Sequence, residues 1–526
     1  RTIDGKFFYA LGGIKAVGYE AISNIVKERE LNGKFESIND FINRVDRFGQ
    51  ALLACGLKPG ETIACLTNNS IELVEFDATA ARFGFVRTML NARGSRADHE
   101  YCLNFASAKA LLFEEKMLEH VSVMRDQLEH VGLFICVGRK ATWALNYEEL
   151  LDKAKSKSPN EAPVSSDVHS IYFTSGTTGR PKGVMLTHSN WIHIISTHLM
   201  DVNPRISQDD VSLLCAPITH ATGSLVMPHL ARGAQLKILD QFNPERVAEI
   251  CMNRNITSSF MAPTMVQLLM QHMNKNSKDK LSFHSLLYGG ASFPVDRLGE
   301  ALEMFGPVLG QLYGQWEAPV GFTVLQPQDH VAALNSGNSR LLHSCGRAIT
   351  FADVDIMNDE GDLLQPGQTG EIVTKGGNVM LGYLNNEEAT SEIREGTWQR
   401  TGDIGEIDSD GFVYITDRKK DMIVTGGNNV YPRQVEEVIY ENKEIEEACV
   451  IGIPDKLWGE TVHLVAVRKP GSLVTEDTII DWSRERLPTD RRIRSVEFVD
   501  TLPKSNYGKI LRKEIRDSVR SRMNKN

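Results

Sequence analysis

The sequence has no C-x-x-C pair, and its eight cysteines (Cys55, Cys65, Cys102, Cys136, Cys215, Cys251, Cys345 and Cys449) are scattered over 526 residues. That spacing offers neither a zinc site nor a disulfide framework, so they read as reduced core residues. No hydrophobic run reaches the length of a membrane span, and no charged-then-apolar leader opens the chain. Basic charge is also short: 58 Lys and Arg stand against 68 Asp and Glu, for a formal net charge of −10. This argues against nucleic acid or an anionic membrane as the main partner. What remains is an ordinary soluble composition, 41% hydrophobic and 24% charged, in a chain long enough to divide into two or more domains. A cytoplasmic enzyme is the default expectation. Arg1 is not a start methionine, so a few residues are expected to precede it, and residues 1 to about 35 carry no usable motif.

The most specific word in the chain is Thr174-Ser-Gly-Thr-Thr-Gly-Arg-Pro-Lys-Gly183. The apolar runs Ile171 to Phe173 and Val184 to Leu186 flank it, which predicts strand, loop, strand. Gly176, Gly179 and Gly183 let backbone N–H groups approach an anion closely. Thr174, Ser175, Thr177 and Thr178 add hydroxyl donors, and Lys182 adds a point charge. The common P-loop is absent, because Arg180-Pro181 intervenes where Lys-Ser or Lys-Thr would follow the second glycine. The plain alternative is a flexible Ser/Gly linker, against which the fixed Pro-Lys-Gly ending argues.

This word resembles the signature of the adenylate-forming superfamily: acyl-CoA synthetases, luciferases and peptide-synthetase adenylation domains. The resemblance runs from about Ile38 to Arg516. It implies an α/β fold with a large multi-layered N-terminal domain, residues 1–420, made of α/β subdomains and a small β subdomain. A small mobile α+β domain, residues 421–526, would follow and carry the catalytic lysine. The residues themselves read compatibly. Helix, turn and strand patterns repeat from Phe41 to Phe113, with Asn68-Asn-Ser70 placed to cap a helix. Ser189 to Met200 is a plausible helix, and Leu213 to Ala216 a strand leading to His220. Asp353 to Met357, Gly370 to Lys375 and Phe412 to Thr416 alternate as short strands. Met422 to Pro432 suits a hairpin-like loop, with Pro432 opening a helix.

The same resemblance assigns the site. Gly289, Gly290 and Ala291 would lie under adenine, with Tyr313 and Gly314 of Gln311-Leu-Tyr-Gly-Gln-Trp-Glu-Ala318 against its ring. Glu317 supplies the hard carboxylate that Mg²⁺ prefers. Trp316 stands where the family has threonine, so an indole replaces a hydroxyl beside phosphate or acid. His220 would gate the route to the acyl pocket, although a lone histidine is more often structural. Asp403, in Trp398-Gln-Arg-Thr-Gly-Asp403, would take the ribose hydroxyls, although an Asp after Gly is commonly only a turn residue. Arg418 would contact nucleotide and Lys420 serve as hinge, where the plain reading of 417–421 is a solvated charge run. Lys509, after Gly508, would reach into the site.

The implied reaction joins a small-molecule carboxylic acid to ATP, giving an acyl-adenylate and pyrophosphate. Lys182 and the loop amides would hold the β,γ-phosphates while Lys509 bridges the acid and the α-phosphate, contacts worth about 3 kcal/mol or more each. The small domain would then rotate, bringing Gly426-Gly427 in for transfer to an acceptor. CoA ligases are the commonest members, and many carry Tyr-Lys-x-Pro where this chain has Asp490-Arg-Arg-Ile493. With Trp316, this tilts the reading to an amine acceptor, as in coronafacate-ligase-like members, with CoA as the alternative.

Overall fold

The computed structural model describes residues 2–3, 6–7, 37–174, 180–253, 255–273, 281–504 and 510–523. The chain folds as two compact units, residues 1–354 with 374–399, and residues 355–373 with 400–526. This division falls upstream of the join expected at Lys420.

Two sheets organise the first unit. One has eight strands in the order Gly382–Tyr383, Lys182–Thr187, Val168–Thr174, Val86–Met89, Thr62–Leu66, Ala110–Glu114, Leu133–Val137 and Leu145–Asn146. The helix, turn, strand repeats expected from Phe41 to Phe113 supply its middle. Ser37 caps Ile38–Ala54 through a reciprocal box with Asp40, and Ser70 caps Ile71–Phe83. Both helices then feed parallel strands buried on both faces. Val168–Thr174 and Lys182–Thr187 pair antiparallel, with Phe173 opposite Gly183 and Thr174 opposite Lys182. The strand, loop, strand expectation is met in both arms.

The second sheet runs Gln235–Ile238, Val211–Leu214, Ser258–Met261, Ser285–Gly289, Leu309–Gln315, Ala318–Leu325 and Arg347–Ala348. Its first five strands are parallel, and helices such as Pro244–Asn253 and Val295–Phe305 bury their apolar stripes on it through Val247, Ile250, Leu298 and Leu302. In such sheets ligands bind at the carboxyl ends of the strands. His220 follows one of these ends, Gly289 closes the next but one, and Tyr313-Gly314 lies in the last turn of its neighbour. The helix expected over Ser189 to Met200 is an α-helix at His188–Thr197 that widens into a π-turn over His198–Val202.

The expected small β subdomain is a five-stranded sheet of Ala352–Met357, Gly370–Gly376, Trp398–Ile407, Arg394–Glu395 and Val413–Arg418. In the second unit, Ile423–Thr425, Asn428–Val430, Ile445–Asp455, Gly459–Arg468 and Ser495–Phe498 form another. Alternation along Ile445–Asp455 sends Ala448 and Val450 towards Val435 and Ile439 of the helix Pro432–Tyr440, and Cys449 and Ile451 towards Ile515 and Val519 of Arg512–Met523. All eight cysteines are free and seven are buried as expected, whereas Cys55, just past the end of the helix Ile38–Ala54, is exposed and not a core residue. Among the described residues no helix is long and apolar enough to cross a membrane.

Candidate active site

Ser175, Gly176, Thr177, Thr178 and Gly179 lie outside the described residues, but Lys182 on the returning arm is described. Its ammonium stands 4.8 Å from the centroid of the Tyr383 ring. The Tyr383 hydroxyl donates to Glu317 Oε1 at 2.7 Å. Burial, and then the Glu317 carboxylate beside it, push the Tyr383 phenol far up, so it is a donor at every ordinary pH. Glu317 is further fixed through its carbonyl, which accepts from Met380 N–H at 2.9 Å and Gln399 Nε2 at 3.1 Å. The phosphate-loop lysine and the candidate metal carboxylate thus meet at one buried tyrosine.

Trp316 and Glu317 form the two-residue turn between Leu309–Gln315 and Ala318–Leu325. The turn depends on close backbone approach. A Cβ on Gly314 would stand 2.6 Å from Gly321 N, and one on Gly289 would stand 2.5 Å from Leu312 O. Gly290 then takes φ +79°, leaving Gly290 and Ala291 exposed beyond the strand end. Tyr313 is buried and packs edge-on against Phe322 at 4.6 Å. The Trp316 indole stacks on Tyr172 at 4.0 Å and 16°, and His220 meets it edge-on at 5.6 Å. Burial pulls the His220 imidazole down to about 4, so it is neutral near pH 7. His220 and Trp316, singled out separately in the sequence, are neighbours.

In the second unit Asp403 and Arg418 face each other across paired strands, Arg418 Nε lying 2.7 Å from Asp403 Oδ1. Gly402 and Asp403 are not a turn, because both lie within Trp398–Ile407. Lys420 is exposed in a short 3₁₀ turn between two anchored carboxylates. Asp417 accepts from Arg433 N–H at 2.7 Å, and Asp421 accepts from Arg516 at 2.7 Å and Arg512 at 3.3 Å. Burial opposes ionisation of Asp421, yet Arg512 and Arg516 hold its carboxyl below the usual range. Gly426 and Gly427 make the expected hairpin turn, with φ +56° and +83° as a two-residue turn of this hand requires. Trp458 lies on Gly426, where a Cβ would come within 2.5 Å of its ring. Lys509 lies outside the described residues.

Among the described residues no three His, Cys, Asp or Glu side chains could cage a metal. Magnesium needs no cage, since it is commonly held by one or two carboxylates, waters and substrate phosphates. Glu317 fits that role, with Oε1 held by Tyr383 and Oε2 left to reach an ion.

Sequence reasoning missed both Tyr172 and Tyr383. Tyr172 sat inside a run read only as an apolar strand, and Gly382-Tyr383 was not singled out. Period-2 alternation gave a signal for the first: Ile171 packs with Val86 and Ala106, so Tyr172 had to face the other side.

These features define a class: an α/β protein in which Lys182 and Glu317 meet at Tyr383 while Trp316 and His220 gather beside Tyr172. The AMP-binding enzyme family model matches residues 29–384, and the model of its C-terminal domain matches 434–509. The chain belongs to this family and is an adenylate-forming acid ligase. A helix-hairpin-helix motif model also matches residues 1–55. Among relatives, a feruloyl-CoA synthase from an Amycolatopsis species is 34% identical over 475 residues, 90% of this chain and 92% of that protein. A medium/long-chain-fatty-acid–CoA ligase from Mycobacterium tuberculosis is 32% identical over 492 residues, 90% of this chain and 84% of that protein. Among solved structures, the amide bond synthetase McbA from Marinactinospora thermotolerans superposes with TM-score 0.83 and 25% identity, covering 97% of this chain and 99% of that one. ATP-bound MatB from Rhodopseudomonas palustris gives 0.84 and 25%, covering 98% and 99%.

Proposed function

We propose that this enzyme activates a small carboxylic acid with ATP and passes the acyl group to the thiol of CoA. The observation that carries the first half is the convergence of Lys182 and Glu317 on Tyr383, which brings a cation for phosphate beside a carboxylate for magnesium. Lys182 and the loop amides hold the β,γ-phosphates, and Glu317 holds Mg²⁺, which neutralises charge on the phosphates when bound. Adenine lies on Tyr313 over Gly289, Gly290 and Ala291, with Gly314 leaving the approach open. Asp403 accepts the ribose hydroxyls, and Arg418, released from Asp403 when nucleotide enters, contacts the nucleotide. Lys509 bridges acid and α-phosphate. His220 and Trp316 bound the acid, with neutral His220 adding no charge to the pocket.

For the second half, residues 421–526 act as the mobile domain of a 1–420 body, with Lys420 as hinge. The exposure of Lys420 in its short 3₁₀ turn supports this, and rotation there would have to release Asp417 from Arg433 and Arg512, both on the 421–526 side. Gly426-Gly427 then approaches the adenylate. The thiol acceptor is supported by the CoA-ligase relatives, which match nine-tenths of the chain at 32% and 34% identity. A second reading, transfer to an amine, is favoured by Asp490-Arg-Arg-Ile493 and by the likeness to an amide bond synthetase structure. The test is mass spectrometry of products from a panel of acids with ATP, offered CoA and amino acids in parallel. Acyl-CoA is the expected product, and a predominant amide would overturn the thiol assignment.

A further inference from the structure

The turn Trp316-Glu317 belongs to the seven-stranded sheet, but its two side chains are held from the eight-stranded one. Tyr172 and Tyr383 both pair with Val184, from opposite sides. Residues directly opposite on paired strands share a face, so the two tyrosines stand on the same face, two strand spacings or roughly 10 Å apart. Lys182, two residues before Val184, shares that face as well. The turn lies above this row. Tyr172 stacks flat on Trp316, whereas Tyr383 reaches Glu317 through its hydroxyl.

The two contacts differ in kind. Tyr172 offers Trp316 its ring, while its hydroxyl is turned to the Arg87 guanidinium, which lies 5.2 Å from the Tyr172 ring and 4.9 Å from the Trp191 ring and is ion-paired with Asp77. This buried stack fixes the plane of Trp316, hence the wall that Trp316 and His220 present. Tyr383 offers a hydrogen bond that fixes one oxygen of Glu317 and aims the other, while its ring lies under Lys182.

We propose that Tyr172 and Tyr383 are positioning residues that divide control of this turn: Tyr172 sets acid selectivity through Trp316, and Tyr383 sets the magnesium requirement through Glu317. The inference rests on the adenylation reading above. Because one tyrosine acts through its ring and the other through its hydroxyl, the same Tyr→Phe change has opposite consequences at the two positions.

The experiment compares Tyr172→Phe, Tyr172→Leu and Tyr383→Phe with wild type. Relative kcat/KM across a panel of acids is read by ATP–pyrophosphate exchange. ATP binding without acid is measured calorimetrically over a magnesium series, and thermal melts establish folding. Tyr172→Leu should shift the ratio between bulky and small acids about tenfold, with its magnesium requirement within about twofold of wild type. Tyr172→Phe should keep the wild-type ranking. Tyr383→Phe should raise the magnesium needed for half-maximal ATP binding about tenfold and leave the acid ranking alone. If Tyr383→Phe reorders the acids, or Tyr172→Leu raises the magnesium requirement as much as Tyr383→Phe does, the division of control is wrong. Unchanged behaviour in all three folded variants would also overturn it. Failure of wild type to exchange pyrophosphate with any acid would instead strike the adenylation reading, and the acid-free calorimetry still decides the Tyr383 half.

Discussion

Asp403→Asn separates binding from stability because of how unequally its pair is buried. The Asp403 side chain is 4% exposed, whereas that of Arg418, 2.7 Å away, is 40% exposed. Replacing the carboxylate with an isosteric amide removes the charge and one acceptor. Arg418 can then turn to water, so the folded state loses only about 1 kcal/mol. Ribose has no such alternative. A carboxylate accepts from two adjacent hydroxyls at once, while the amide accepts on one atom and donates from the other. Hydrogen bonds to a charged group are worth about 1.5–3 kcal/mol each. Part of that is already spent in the resting state, because Arg418 must be displaced. Loss of one such bond and weakening of the other therefore predicts roughly a 30- to 100-fold weaker ATP affinity, with Tm lowered by only about 2–4 °C. Calorimetric ATP binding and a thermal melt on the same sample test both numbers. Unchanged affinity would remove Asp403 from the nucleotide site, and a collapse of Tm with proportionate loss of binding would make it a structural residue.

Lys509→Ala should lower acyl-adenylate formation by at least about a hundredfold while leaving transfer from synthetic acyl-AMP largely intact; equal loss in both half-reactions would refute a role confined to adenylation. Trp316→Thr removes the Tyr172 stack and the His220 edge contact, so the enzyme should admit bulkier acids with ATP KM within about threefold of wild type; a large ATP effect with unaltered acid ranking would contradict the pocket argument. Burial pulls His188, His198 and His229 down to about 4, 3 and 4 from a usual 6.5. The unfolded chain binds more protons on them below pH 6.5, so their stabilisation is complete above 6.5 and lost as pH falls through about 4. Tm should drop steeply over that window, and a flat Tm down to pH 4 would contradict their burial.

Local words were the legible part of this chain. Each arm of the 174–183 loop, the cap at Ser70, the helix opening at Pro432 and the Gly426-Gly427 turn follows from a few adjacent residues, and each is met in the structure. Trp316 and His220 were legible as residue types but not as a pair, because they come together only when two distant strand ends align. Tyr172 and Tyr383 were hidden for a stronger reason. Their roles depend on both lying opposite Val184, and strand order in a sheet leaves no mark in local spacing. The helix-hairpin-helix match over residues 1–55 was missed as well; the available signal was the glycine-rich segment Leu11-Gly-Gly-Ile-Lys-Ala-Val-Gly18.

The acid–base properties of the site bear on how an acceptor would be chosen. His220 is the imidazole that the first unit sets beside Trp316, and with its proton affinity lowered to about 4 it is a weak base. A thiol has an ordinary pKa near 8.5 and the amine of a free amino acid is more basic still, so both stand about four units or more above it. On the proposed reading, His220 therefore cannot extract the proton of either acceptor effectively, and each must arrive as the small fraction already deprotonated near pH 7. That fraction is larger for the thiol, so proton chemistry leans towards the thiol without deciding which acid or acceptor fits. The remaining selection falls to shape, and on the proposed reading Trp316, stacked on Tyr172, is the wall that sets it. On that reading the same adenylating residues are compatible with either product, and the acceptor is chosen by side chains outside the proposed phosphate and metal contacts.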